Sequence, residues 1–306
     1  LHRLIRRQRQ MCIRDRSQTV PDSTASLISA GGMVILSVFL VLLFVIFIRY
    51  KAKIMPLIAG VLGYVIFIFM GSNFVISILP DFARPDGMTG GMEICMTSLV
   101  MTLFYTIARI CVANIIKDRY KGPGDVFIAG LGLGVGDGAV YGITTIMTMS
   151  VLASSINHAG LEELLLNTGL SADAAVDLYV STISPLIHVP PVVWLLMGIS
   201  LSMDMIMNIG LMMICSGVAD GKLDGRWYAI TAVINFVMLI PFTFNSTNYT
   251  TTAQAVVPFV IKAAMFAAFA YMVLRIDKEK LGSMLSKDLK GYTYERMPRF
   301  GNLRKK

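Results

Sequence analysis

Charged residues are scarce in this chain of 306 residues: lysine, arginine, aspartate and glutamate make up 15% of it, against 55% hydrophobic residues. A water-soluble domain of this length needs a larger charged surface, so the composition indicates a protein embedded in a lipid bilayer. The four cysteines have no pairable spacing, which excludes a disulfide-stabilised fold. With only three histidines there is little material for a zinc site, and we expect neither a metal nor a cofactor.

Much of the positive charge lies at the amino terminus. Residues 1–16 contain six arginines and one acid, Asp15, and so supply +5 of the net charge of +8. The string MCIRDR resembles a translated sequencing adapter and the chain opens on Leu1, so we interpret 1–16 as an artefactual extension, with a basic cytoplasmic arm as the alternative. Without this stretch +3 remains, and we expect no nucleic acid among the partners.

Seven apolar stretches are long enough to cross the hydrocarbon core of a membrane, which takes roughly 20 helical residues. They cover 25–49, 54–79, 91–116, 124–154, 188–218, 227–246 and 252–275. The expected fold class is therefore all-α: a polytopic protein of the cell membrane, with a bundle of about seven transmembrane helices over 17–276 and the lipid bilayer as its surroundings.

The distribution of lysine and arginine predicts the orientation, because short cytoplasmic loops collect positive charge. Of the 21 such residues after position 16, 18 lie in the first, third and fifth loops and in the tail, whereas Arg84 alone lies in the opposite loops. The amino terminus is therefore expected outside and the carboxyl terminus inside. Residues 157–187 then form an outer helical segment, and 277–306 form a basic cytoplasmic tail.

The fourth predicted span carries the glycine-rich string GLGLGVGDGAVYG. On a helix its glycines form two rows without side chains: Gly130, Gly134, Gly138 and Gly142 in one, Gly132 and Gly136 in the other. Such a surface lets a neighbouring backbone approach closely, so helix packing is the favoured interpretation. The alternative is a groove for a substrate or another transmembrane segment.

Four ionisable residues lie inside predicted spans, where an unpaired charge costs several kcal/mol. They are Arg109, Asp137, Asp204 and Lys262. All four fall at similar depth, so we predict a neutral buried network in which Arg109 reaches Asp137 and Lys262 reaches Asp204. Ser200, Asp204 and Asn208 share one helix face at four-residue spacing, and Asn235 lies about 12 Å into the sixth span. This polar set would either line a wet cavity or fix the helix register.

A weaker pattern lies at the outer rim. His158 and Glu162 are four residues apart and resemble half of a metal site, to which His188 could add a third ligand. Surface pairs of this kind are common, so we expect no metal here.

The order of elements from about residue 95 to 245 resembles the YhfC-type intramembrane metalloproteases, which are related to the wider group of glutamate-dependent intramembrane proteases. The resemblance rests on five strings in order: FYTIARI, KDRYKGPGD, GLGVGDGA, Ser184-Pro185 and NFVMLIP. Arg109, the glycines at 132, 134 and 136, and Pro241 match the family's pattern. The resemblance implies a membrane-embedded protease scaffold.

The expected catalytic residues are absent. The family's glutamate pair falls on Tyr105 and Thr106, its motif histidine on Val135, the following glutamate on Ala139, and a later histidine and aspartate on Asn235 and Leu239. A metal needs histidine or carboxylate ligands, and valine, alanine, leucine and threonine cannot replace them. The resemblance therefore implies a member that has lost peptide hydrolysis.

Three functions remain open. The first is a membrane binding or regulatory scaffold without hydrolytic activity, whose partner is a transmembrane segment or a lipid. The second is a transporter or channel subunit with a charged intramembrane path. The third is an active protease with a rearranged site, in which Asp137 and Asp204 form a carboxylate pair.

Overall fold

The structure is a computed structural model that describes residues 19–78, 91–120, 122–136, 138, 142–161, 172–240, 249–282 and 284–285. Ten helices account for most of these residues, and no strand occurs among them. They are α1 (Asp22–Arg49), α2 (Ile54–Ile78), α3 (Gly91–Lys117), α4 (Pro123–Val135), α5 (Ile143–Ala159), α6 (Ala172–Leu178), α7 (Ser184–His188), α8 (Val192–Ala219), α9 (Arg226–Leu239) and α10 (Thr252–Ile276). The predicted all-α class is confirmed.

Five helices are long and apolar enough to cross a membrane, namely α1, α2, α3, α8 and α10. The helices α4 and α9 are apolar but shorter, and each begins one residue before the predicted spans 124–154 and 227–246, respectively. The predicted count of seven spans therefore stays a prediction. Large apolar side chains such as Phe44, Phe69 and Tyr271 are 60% or more exposed on α1, α2 and α10, as expected for helices that face lipid.

Helix termini follow the local sequence. Pro123 begins α4 at a position where its missing N–H is not needed, directly after the extended Gly122. At the start of α10, Thr251 and Gln254 form a capping box, in which each side chain accepts a hydrogen bond from the other's backbone N–H. The predicted helix starts at 124 and 252 thus lie within one residue of the observed ones.

The termini that carry positive charge meet at one end of the bundle. Lys53 N–H donates to Asp125 Oδ1 at 2.8 Å, which joins the start of α2 to α4. Tyr50 donates to the carbonyl oxygen of Leu285 at 3.3 Å, which ties the end of α1 to the segment after α10. At the opposite end, Asn157 of α5 exchanges two hydrogen bonds with the backbone of Val20. The start of α2, the start of α4 and the segment after α10 thus lie at one end of the bundle, whereas the orientation of the bundle across a membrane stays a prediction.

The glycine-rich helix α4 lies at the centre of the bundle, and every residue from Gly124 to Gly134 is buried. Its two glycine rows contact two different helices. A side chain at Gly132 would meet Leu57 O at 2.5 Å and Gly60 Cα at 3.1 Å, both on α2, and one at Gly136 would meet the ring of Tyr64.

The other row faces α8. A Cβ atom at Gly130 would lie 2.7 Å from Ile209 Cα, and one at Gly134 would lie 3.0 Å from Met205 Cα; Gly138 also faces Met205. Gly142 is buried as well. At these positions α2 and α8 occupy the space beside both rows, and the role of the glycine string stays a prediction.

Candidate intramembrane polar site

Arg109 lies on α3, about two turns before the end of the helix, and is fully buried, with 0% of its surface exposed. Its Nη2 atom donates to two amide oxygens, Asn208 Oδ1 at 2.6 Å and Asn235 Oδ1 at 2.9 Å. Asn208 belongs to α8 and Asn235 to α9. A single guanidinium nitrogen therefore joins three helices inside the bundle.

Neighbouring side chains hold these two asparagines in place. Asn235 Nδ2 donates to Thr102 Oγ1 at 3.3 Å, and Asn208 Nδ2 donates to the backbone carbonyl of Asp204 at 3.0 Å. An asparagine that donates through its amide nitrogen turns its oxygen toward a different partner, which here is Arg109. Thr102 and Arg109 share a face of α3 because they are seven residues, about two turns, apart. The cluster thus links three helices through hydrogen bonds between side chains.

The remaining two nitrogen atoms of the guanidinium have no acceptor among the described residues. Arg109 Nε and Nη1 are buried and make no hydrogen bond within the part of the chain that the structure describes. Its central carbon lies 4.9 Å from the ring centroid of Tyr105, whose hydroxyl oxygen is also buried and has no hydrogen-bond partner among the described residues. The aromatic ring provides a weak attraction for the cation, but it accepts no hydrogen bond in the plane of the guanidinium.

A second charged cluster joins α8 to α10. Lys262 Nζ lies 2.7 Å from Asp204 Oδ2, and Lys262 is fully buried. Asp204 Oδ1 and the hydroxyl of Ser200 are buried without a hydrogen-bond partner in the described residues. Because Ser200, Asp204 and Asn208 follow one another at four-residue intervals, the two clusters lie one helical turn apart on the same face of α8.

The structure thus brings together most of the polar residues that the sequence predicted. Lys262 and Asp204 form the predicted pair, and Asn208 and Asn235 both contact Arg109. The predicted partner of Arg109, Asp137, lies outside the described residues. Asp204 is not a free carboxylate, since its Oδ2 is ion-paired.

The outer-rim histidines do not come together with other metal-binding groups in the described residues. His158 and His188 are both exposed, and His188 Nδ1 lies 3.1 Å from the carbonyl oxygen of Ser184. Glu162 lies outside the described residues. Among the residues that the structure covers, no three histidine, cysteine or acidic side chains are grouped closely enough to hold a metal ion.

Two members of the Arg109 cluster were not predicted to belong to it. Thr102 and Tyr105 precede Arg109 by seven and four residues, so all three lie on one side of α3. A helical projection of the span would have placed them beside Arg109. Neither residue is charged near neutral pH, however, so neither stands out in an apolar span as a charged residue does. Cys215 and Thr231 also meet between α8 and α9, with Sγ and Oγ1 3.8 Å apart.

Comparison with family models, with curated proteins and with solved structures gives no match for this chain.

Proposed function

We propose that this protein is a multi-pass protein of the cell membrane that resembles the YhfC-type intramembrane proteases, has lost hydrolysis and acts as a binding or regulatory scaffold. Its amino terminus is outside and its carboxyl terminus is cytoplasmic. The observation that carries the proposal is the meeting of Tyr105, Arg109 and Asn235 in one buried cluster. The resemblance assigns a glutamate, an arginine and a histidine to these three positions.

The chemistry of the cluster supports binding instead of hydrolysis. Peptide hydrolysis in a membrane needs a base or a metal-bound water, and a phenol ring and an amide at these positions provide neither. The cluster still offers a cation and oriented amide groups in a setting from which water is excluded. Those groups bind polar or negatively charged atoms strongly because the dielectric constant is low.

Because α2 and α8 pack against the glycine rows of α4, a partner of this scaffold is expected to bind at the lipid-facing surface of the bundle. The helix α3 also has large exposed apolar side chains, among them Leu99 and Leu103, which are 53% and 57% exposed. A transmembrane segment that packs there would contact the helix that carries the cluster. This surface is therefore where the proposal expects a membrane partner.

Photo-crosslinking and peptide cleavage together test this proposal. A photoreactive residue at Leu103 should capture a transmembrane protein in native membranes, whereas one at Phe44 of α1 serves as the matched lipid-facing control. Purified protein should cleave none of a panel of transmembrane peptides. Cleavage that disappears in Asp137→Ala would support the rearranged protease instead, and identical capture from both positions would contradict a specific partner surface.

Orientation is tested separately by labelling single cysteines in intact cells. A cysteine at Lys222 should resist a membrane-impermeant maleimide, and one at Thr250 should react. The reverse pattern would overturn the proposed topology.

A transporter is the second candidate, because the Asp204–Lys262 pair and the Arg109 cluster lie one turn apart on α8. Charges stacked along one helix can serve as successive sites of an ion path. Reconstituted liposomes provide the test: flux that is lost in Asp204→Asn would favour transport over a scaffold.

A further inference from the structure

The guanidinium of Arg109 carries a positive charge that no described acidic side chain neutralises. Its oxygen contacts are two uncharged amides, Asn208 Oδ1 and Asn235 Oδ1. The other charged pair nearby sums to zero, because Lys262 is matched by Asp204. One uncompensated positive charge therefore remains in the two buried clusters that contain Arg109 and Lys262, and such a charge costs several kcal/mol.

The hydrogen-bond inventory leads to the same conclusion. An arginine side chain has five N–H donors, and the two on Nη2 are used by the two asparagines. The three on Nε and Nη1 have no acceptor in the described part of the chain, although both nitrogen atoms are fully buried. Buried donors are almost always satisfied in native proteins. The missing group must therefore accept hydrogen bonds and carry negative charge.

We propose that Arg109 binds a small monovalent anion, of the halide or short-carboxylate class, on the side of its Nε and Nη1 atoms. One negative charge balances one guanidinium, and a side chain with 0% exposure favours a ligand of few atoms. Asn208 and Asn235 orient the guanidinium by occupying Nη2, which leaves the other donors for the ligand. The site goes beyond the scaffold role, since the fit of an anion to Arg109 does not depend on any protein partner.

Anion binding can be measured directly on the purified wild-type protein in phosphatidylcholine nanodiscs. Radiolabelled chloride should bind with a stoichiometry of one per chain, and bromide or formate should compete while bulky gluconate should not. Replacing gluconate with chloride at constant ionic strength should raise the thermal midpoint in a saturable way, because a ligand that binds only the folded state stabilises it.

Variants identify the residue that is responsible. Arg109→Gln should abolish the bound chloride and the chloride-dependent rise in midpoint. Arg109→Lys keeps the charge but not the fork of donors, so it should weaken chloride binding at least tenfold. The matched control is Arg226→Gln, because the side chain of Arg226 is 88% exposed, and this variant should bind chloride like the wild type.

Two results would overturn the proposal. Equal chloride binding by wild type and Arg109→Gln would place the anion elsewhere, and a wild type that binds neither chloride nor formate would exclude the site. In the second case, chloride binding that appears only in Asp137→Asn would identify Asp137 as the native counter-ion. If Arg109→Gln fails to fold, the weaker chloride binding expected of Arg109→Lys tests the assignment to Arg109, and a wild type that binds no anion still excludes the site. None of these readouts involves crosslinking or peptide cleavage, so failure here is distinct from failure of the scaffold proposal.

Discussion

Lys262 Nζ and Asp204 Oδ2 lie 2.7 Å apart in the interior of the bundle, although 58 residues separate them in the sequence. Each side chain reaches the other from a different long helix, α10 and α8. Both partners of this salt bridge are buried. The Lys222–Asp220 pair at the end of α8 is exposed, with side-chain exposures of 41% and 29%. The two pairs allow a direct comparison of a buried and an exposed ion pair in one protein.

Breaking the buried pair from one side should destabilise the protein strongly. Asp204→Asn or Lys262→Met alone is expected to lower the free energy of unfolding by about 3–5 kcal/mol, because the remaining charge loses its partner. The double variant should recover most of this loss. Unfolding in mixed micelles measures the cycle, and the exposed pair Lys222–Asp220 should show a coupling of less than about 1 kcal/mol. Additive losses at Asp204 and Lys262 would contradict a specific pairing.

The contact between α4 and α2 should not tolerate a methyl group. In Gly132→Ala the new Cβ atom would lie 2.5 Å from the carbonyl oxygen of Leu57, which is backbone and cannot rotate away. We expect a loss of about 1–3 kcal/mol in stability, as for other overpacked sites. Gly225→Ala is the matched control, since a Cβ atom there meets no atom within 4 Å. Thermal midpoints of the two variants in one detergent provide the measurement, and equal midpoints would refute the close contact.

The capping box at the start of α10 should contribute to stability in a predictable amount. Thr251→Ala removes the acceptor for the N–H of Gln254 and should cost about 1 kcal/mol. Thr252→Ala changes the next residue, which lies inside the first turn, and should have little effect. Hydrogen exchange of the first-turn amides should increase only in the Thr251 variant. A similar increase in both variants would argue against the cap.

The segment after α10 should loosen when Asp277 is replaced. Its carboxylate accepts the backbone N–H groups of Met284 at 2.8 Å and Leu285 at 3.1 Å, and Tyr50 bonds the carbonyl of Leu285. Losing two hydrogen bonds to a charged group should increase local opening by roughly tenfold or more. Limited trypsin digestion at Lys280 measures this opening. Glu279→Gln is the control, because Glu279 bonds only the exposed Arg275 among the contacts described, and it should leave the cleavage rate almost unchanged.

Much of the fold was predictable because lipid imposes simple requirements on sequence. A helix in the hydrocarbon core must be apolar over its whole length, so α1, α2, α3, α8 and α10 stand out as hydrophobic runs. The lysine and arginine residues of the loops predict the orientation of these helices across the membrane, which stays a prediction. The bounds of α4 were less clear, because the glycine-rich string extends past Val135 without a change in hydropathy.

The polar site was predictable in membership but not in partners. A charge in an apolar span is conspicuous, so Arg109, Asp204 and Lys262 were found from their positions in the sequence. Which of them meet depends on the order of the helices in space, and periodicity within one helix carries no information about that order. Electrostatic reasoning favours opposite charges and therefore predicted Asp137 for Arg109. It gave no weight to uncharged amides, although Asn208 and Asn235 are the contacts that the structure shows.

The glycine rows of α4 also affect how the chain is assembled during synthesis. The row formed by Gly130, Gly134 and Gly138 packs against α8, which begins at Val192 and therefore leaves the ribosome later. Until α8 enters the bilayer, this surface of α4 has only lipid against it and lacks the close backbone contact that stabilises it. The bundle can therefore reach its final packing only after α8 has been inserted, and a ribosome that stalls before this helix leaves α4 without its main neighbour.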